Sequence, residues 1–320
     1  MKRLITIFLL VLIQHSLIAQ EVKYEIFNTS INSKYAELGV TFLKENKVLF
    51  ASSKKFQNKR GRHNRQLYLE LYYGKIDENG DIQQSSKFSK EINNKYFESD
   101  VTFTPDFKTI FFTWNNFYDT QSRKDSAEFK PLYLFSASVD ENFNLSNILP
   151  LPFNSKNYSV RSPEVSKDGK KLYFTSDMPN GFGGFDIYEV TIINGRIIGW
   201  PKNLGPNVNT NKNELFPFID NENTLYFASY GHKGKGRLDI FKSKNSNGIF
   251  QKAENLPAPI NSKYDDFGFV IKPESNMGYF TSNRKYGKGD VDIYGFKLIE
   301  KETQKKVKKS NKFALECSTC

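Results

Sequence analysis

Cysteine is almost missing from this chain: its 320 residues hold two, Cys317 and Cys320. That excludes a disulfide framework and a four-cysteine zinc site. The C-x-x-C they form has no βαβ context and no further ligands, so it implies neither redox chemistry nor a metal. Histidine is scarce too, at three, with His15 inside the leader. Little remains for histidine-based metal or triad chemistry, and no cofactor is implied. After the first 19 residues no stretch reaches the ~18 apolar residues of a membrane-spanning helix. Before the tail, no segment holds a helical period over a dozen residues or so. What is abundant is aromatic: 29 Phe and 17 Tyr exclude disorder for most of the chain. The net charge of +11 is spread along it.

The first residues, MKRLITIFLLVLIQHSLIA, carry a basic start at Lys2 and Arg3, an apolar run over Leu4–Ile13 and a small-residue cleavage box ending at Ala19. This fits a secretory signal peptide over 1–19. The expected organisation is then a folded body over 20–298 and a basic, flexible tail over 299–320. The expected location is the periplasm or outer membrane, or outside the cell. Export makes nucleic acid an unsuitable target.

The chain repeats itself. Asn32, Asn93, Asn154, Asn209 and Asn261 each open a similar connector, clearest as INSKYAE, INNKYFE and INSKYDD. A strand follows each connector, ending at Phe50, Phe112, Phe174, Phe227 and Phe280. An aromatic strand comes next, as in QLYL, PLYLF, FDIYEV, LDIF and VDIYGF. Asp168-Gly169 marks a tight turn between two strand runs. Each repeat of roughly 50–60 residues holds about four short strands, and one such sheet cannot bury both faces alone. Stacking sheets radially buries them, so the fold class is all-β, a β-propeller. The segment before Asn32 matches what precedes later connectors, and the last repeat lacks that strand. Residues near 22–29 are therefore expected to complete the blade begun near Asp266, closing a ring of five four-stranded blades. Six would require a blade hidden near 54–66 or 115–130, which are too short.

Ser162–Tyr188 (SPEVSKDGKKLYFTSDMPNGFGGFDIY) resembles the repeat of the TolB-like, WD40-like β-propeller family. Ser282–Tyr294 matches its second half, including Arg284, and Ser229–Phe241 matches it more loosely. The first two repeats depart from it. The resemblance covers about 30–298 and implies the propeller fold. It also implies an exported envelope protein of the Bacteroidetes type, without the OmpA-like segment that often accompanies such repeats.

Three groups of residues could carry function. Glu37, Glu98, Glu214 and Asp266 stand five residues after a connector Asn, which places them near the inner strands around the channel. Recurrence at one phase reads as structural: bonds from backbone N–H groups, or pairing with Lys34, Lys95 and Lys263. The competing reading is a carbohydrate-active propeller binding or hydrolysing glycans through channel carboxylates such as Glu98, Glu164 and Glu214. Asp186, Asp239 and Asp292 precede the third strands and are expected to cap Gly-rich loops. The glycines there (Gly181, Gly183, Gly184, Gly234, Gly236, Gly287 and Gly289) would supply positive φ. The third group is a basic and aromatic surface: Arg60, Arg62, His63 and Arg65 on one loop, and Trp114, Phe117, Tyr118 and Arg123 on the next. Cations beside aromatics suit an envelope or secreted protein, an anionic glycan or an outer-membrane surface. The expectation is a non-catalytic binding scaffold.

Overall fold

The strand-forming stretches that fall within the described residues become strands. The computed structural model describes residues 23–54, 68–88, 97–115 and 131–299. The leader, the tail with Cys317 and Cys320, and the connector around Asn93 and Lys95 lie outside these residues. Strand β1 (Lys23–Asn28) comes first. Blade one is β2 (Glu37–Phe42), β3 (Lys47–Lys54), β4 (Tyr68–Ile76) and β5 (Ile82–Lys87). Blade two is β6 (Phe97–Phe103), β7 (Thr109–Asn115), β8 (Leu132–Val139) and β9 (Leu145–Pro150). Blade three is β10 (Val160–Val165), β11 (Lys171–Ser176), β12 (Asp186–Ile193) and β13 (Arg196–Asn203). Blade four is β14 (Glu214–Ile219), β15 (Thr224–Ser229) and β16 (Asp239–Ser246), its outer strand split into β17 (Ile249–Phe250) and β18 (Glu254–Asn255). Blade five is β19 (Asp266–Lys272), β20 (Met277–Ser282) and β21 (Asp292–Ile299). Within each sheet the pairing is antiparallel and sequential, and β1 joins the last sheet outside β21. The chain is a five-bladed β-propeller closed by its N-terminal strand.

The recurring aromatics explain the stacking. The second-strand phenylalanines Phe50, Phe112, Phe174, Phe227 and Phe280 are at most 2% exposed. Each lies directly across from a third-strand ring, pairing with Tyr72, Phe135, Tyr188, Phe241 and Tyr294. Ring centroids in these pairs are 5.7–6.1 Å apart. Burying a side chain of this size contributes roughly 2–3 kcal/mol. The apolar cores lie between blades. One joins Leu49 and Leu71 of blade one to Val101 and Phe112 of blade two. Others join Phe111 to Val165, Ile187 to Leu225, and Phe218 to Phe280. The fifth joins Tyr279 and Ile293 of blade five to Val48 and Phe50 of blade one, so the ring is sealed by packing as well as by β1.

The connector asparagines act as a shared clasp. Each described one bonds both backbone groups of one third-strand residue in the blade before it. Asn154 clasps Leu134, Asn209 clasps Ile187 and Asn261 clasps Ile240, at 2.7–3.0 Å. A carboxamide supplies one donor and one acceptor in a fixed plane, the same pair a strand residue offers.

The loop glycines correct an expectation. Gly169 and its equivalents in tight turns do have positive φ, but Gly181, Gly183, Gly184, Gly234, Gly236, Gly287 and Gly289 do not. They are needed for close approach. A Cβ on Gly183, Gly236 or Gly289 would run into the carbonyl oxygen of Lys212, Tyr264 or Tyr35 in the following connector. A Cβ on Gly181, Gly234 or Gly287 would meet the carboxylate of the capping aspartate.

Candidate functional site

The five inner strands β2, β6, β10, β14 and β19 surround a central channel. We call the face on which they begin the upper face. It carries the connectors and the loops from second to third strand, such as 177–185, 230–238 and 283–291. The tight turns after the inner strands form the lower face.

Three repeat acids open their inner strands at the upper face, and all are buried. Glu37 accepts the N–H and hydroxyl of Ser33 (2.9 and 2.7 Å) and the hydroxyl of Ser52 (2.8 Å). Glu214 takes the same bonds from Thr210 (2.8 and 2.7 Å) and Ser229 (2.6 Å). Asp266 takes them from Ser262 and adds the Arg284 guanidinium at 2.6 Å. Lys34 and Lys263 do not pair with these acids as expected. Their ammonium groups lie over the rings of Tyr35 and Tyr264, each 5.4 Å from the centroid. None of the three acids lines the channel cavity, because each points back at its own connector. The side chain of Glu98 lies outside the described residues.

The capping aspartates bond the loops before them. Asp239 accepts the N–H groups of Lys235 and Gly236 at 2.8 and 2.9 Å. Asp186 takes those of Phe182 and Gly183, and Asp292 those of Lys288 and Gly289. Burial raises the pKa of Glu214, Asp239 and Asp292, with these hydrogen bonds opposing it.

Among the described residues, the carboxylates that reach the channel are Glu164 and Asp100, and Asp100 was not singled out from the sequence. A bulge interrupts each inner strand near this level, with positive φ at Gly39, Ser162, Phe216 and Gly268. Bulges re-aim side chains. The channel here has a volume of about 50 Å³, room for a few waters and not for a sugar ring. Ser162 donates to Asp100 at 2.6 Å, and Thr102 to Glu164 at 3.2 Å. The Lys167 ammonium stands 3.3 Å from Glu164. Burial pushes the Glu164 carboxyl up, with Lys167 and Thr102 pulling against it.

The upper face is basic and aromatic. Loops 230–238 and 283–291 carry Lys233, Lys235, Arg237, Lys285 and Lys288, with Asp290 the acid that stays exposed. Tyr286 is 88% exposed and Phe182 49%. Cations sit on the rings: Arg237 over Tyr230 at 5.9 Å, Lys285 over Tyr286 at 5.1 Å, and Arg161 over Phe185 at 4.3 Å. The lower turns instead mix Lys44, Lys108 and Lys170 with Glu45, Asp106, Asp168 and Glu222. Arg60, Arg62, His63, Arg65, Phe117, Tyr118 and Arg123 lie outside the described residues. Trp114 belongs to the core: it is 9% exposed and packs on Phe112 and Phe135, at 6.0 and 5.3 Å. Both faces of β7 are buried between blades, and period two puts Trp114 on the face of Ile110 and Phe112.

No protein-family model matches the chain, and no curated protein matches it. Among solved structures it is similar to an α-L-arabinofuranosidase from Lactobacillus brevis. The TM-score is 0.51 at 9% identity, covering 85% of this chain and 92% of that one. It is also similar to a putative TolB from Agrobacterium tumefaciens (TM-score 0.46, 15% identity, 86% and 90% covered). TolB from Acinetobacter baumannii is matched at TM-score 0.43 and 14% identity, over 83% of this chain and 56% of that one. This chain thus spans little more than half the length of that TolB. These likenesses concern the fold; one fold hosts many functions.

Proposed function

We propose that the protein is a non-catalytic binding propeller, exported to the cell envelope, that docks an acidic segment of a partner protein on its upper face. One observation carries the reading: cation–aromatic pairs stand exposed on that face, while the acids beneath them are tied to fixed donors. A ring with an ammonium or guanidinium above it offers apolar area and charge together, which suits peptide carboxylates interleaved with aromatics. Catalysis by paired carboxylates needs two acids in different environments with room between them for substrate. Glu37, Glu214 and Asp266 share one environment, Asp100 lines only the narrow part of the channel, and Glu164 is the single described carboxylate on the wider space below it.

The test is binding of a labelled peptide rich in Glu, Asp and Phe to the purified protein. The reading expects affinity that falls with added salt. The double variant Arg237→Glu, Lys285→Glu should lose roughly tenfold, the size of ~1.4 kcal/mol. Anionic vesicles and polygalacturonate serve as comparison ligands. Binding to either of these and not to the peptide, or full affinity in the double variant, would remove the proposal. Hydrolysis of an arabinan by the protein would favour the enzyme reading instead.

A further inference from the structure

Below the constriction the channel opens toward the lower face into a cavity of about 200 Å³. All five inner strands reach it. Its walls combine the rings of Phe42, Phe107 and Phe218 and the side chains of Val40 and Val270 with Thr41, Thr102, Thr104 and Ser166, and Glu164 and Lys167 are the charged groups on its lining.

Phe107 is out of place by the rule of the repeat. The matching turn position is Asn46, Gly169, Asn223 and Asn276 in the other blades, at φ of +54°, +71°, +59° and +49°. Phe107 stands there at φ +59°. Glycine adopts that conformation at no steric cost and asparagine tolerates it, whereas a bulky side chain pays about 1–2 kcal/mol. The turn itself does not require the ring: Phe107 N–H to Thr104 O (2.8 Å) is the bond that Gly169 N–H makes to Ser166 O (2.8 Å). What the phenylalanine adds is a wall of the cavity, its ring tilted against that of Phe103 with centroids 5.5 Å apart.

Two ammonium groups from the flanking blades lie over two of these rings; Lys167 is on the cavity lining, and the exposed Lys44 is not. Lys44 Nζ lies 5.0 Å from the Phe107 centroid, and Lys167 Nζ 4.6 Å from that of Phe218. The acids nearby are engaged: Glu164 by Thr102 and Lys167, and Asp106 by the Thr104 hydroxyl and the Lys108 N–H. The lining thus carries one cation beside one carboxylate, and Lys44 adds a second cation over the Phe107 ring. An apolar cavity of about 150 Å³ admits benzene, so this one takes a ring with a short arm.

The geometry points to a binding site for a small apolar acid: a flat hydrocarbon body held among Phe42, Phe107 and Phe218, with one carboxylate meeting Lys44 and Lys167. This site is separate from the upper face, and its occupant is a small molecule.

Calorimetric titration of the full chain with phenylacetate, benzyl alcohol and benzylamine tests it. Phenylacetate should bind, benzyl alcohol should bind roughly tenfold more weakly and benzylamine more weakly still. Lys44→Gln, an exposed change, and Phe107→Gly, which copies the turn of blade three, should each weaken phenylacetate by roughly tenfold. Arg237→Glu on the opposite face should leave it unchanged. Absence of phenylacetate binding, tighter binding of benzylamine, or full affinity in both Lys44→Gln and Phe107→Gly would overturn the site. Because the three ligands are compared on the unaltered chain, the result does not depend on any variant folding.

Discussion

Asn32 and Ile293, 261 residues apart, exchange two hydrogen bonds across the seam of the ring. The Asn32 amide donates to the Ile293 carbonyl at 2.7 Å, and the Ile293 N–H donates to Asn32 Oδ1 at 2.9 Å. The Thr29 hydroxyl adds a third bond to the same carbonyl at 2.9 Å. The first connector thus performs for the last blade what every described connector performs for the blade before it. Asn32→Ala leaves the buried Ile293 N–H without this partner, while Thr29 still serves the carbonyl, at a cost of about 1–3 kcal/mol. Denaturant unfolding measures the cost, and hydrogen exchange locates it. Asn209→Ala should cost a similar amount, but only Asn32→Ala should speed exchange in β1 and β21. Unchanged exchange there would mean the seam is held by packing alone.

Gly289 closes the same seam from the other side. With no side chain it sits against the Tyr35 carbonyl, and the next residue, Asp290, donates its N–H to that oxygen at 3.2 Å. Gly289→Ala should push this loop off the first connector and lower stability by about 1–3 kcal/mol, the usual size of an overpacking change. The position lacks positive φ, so the loss would come from contact and not from backbone strain. A thermal midpoint equal to that of the unaltered chain would contradict this.

Stability should depend on pH in two opposing ways. Burial raises the pKa of Glu164, Glu214, Asp239 and Asp292. An acid with a raised folded pKa is protonated more readily in the native state than in the unfolded one. Its contribution is fully present below the unfolded value and is lost as pH rises through the folded value. Asp106, Asp140 and Asp168 are shifted the other way, chiefly by side-chain hydrogen bonds from Thr104, Asn144 and Ser166. Their contribution is lost as pH falls through their folded values. The unfolding midpoint should therefore rise as pH falls from neutrality toward the ordinary carboxylate range of about 4, and fall again below it. Glu164→Gln, which resembles the protonated acid, should flatten the first limb. A midpoint that falls steadily from pH 7 would contradict the role given to burial.

The fold was legible because its repeat writes the same residues at the same phases. The connector asparagine, the second-strand phenylalanine and the third-strand aromatic recur since each makes the same bond or contact in successive blades. The ring closure was legible for the same reason: the segment before Asn32 had no blade of its own. Directions of side chains and backbone were not legible. Glycine spacing cannot separate positive φ from close approach, so the loop glycines were misread. Lys34 and Lys263 follow the same logic: a lysine beside an acid in sequence turned onto its neighbouring tyrosine. Trp114 was grouped with the basic loop because it adjoins it, although β7 is packed between blades on both faces. Phe107 could have been found by aligning TPDFKT with SKDGKK, where a phenylalanine replaces a turn glycine. Asp100 offered no such sign, since a bulge brings it to the channel.

The central claim is that the upper face is the docking surface. Hydrogen exchange of the full chain with and without the acidic, aromatic peptide tests it most directly. The account predicts slower exchange in 230–238, in 283–291 and in the connectors at 33–36 and 262–265, with the lower turns unchanged. Slowing confined to the lower turns, or none anywhere at saturating peptide, would contradict it.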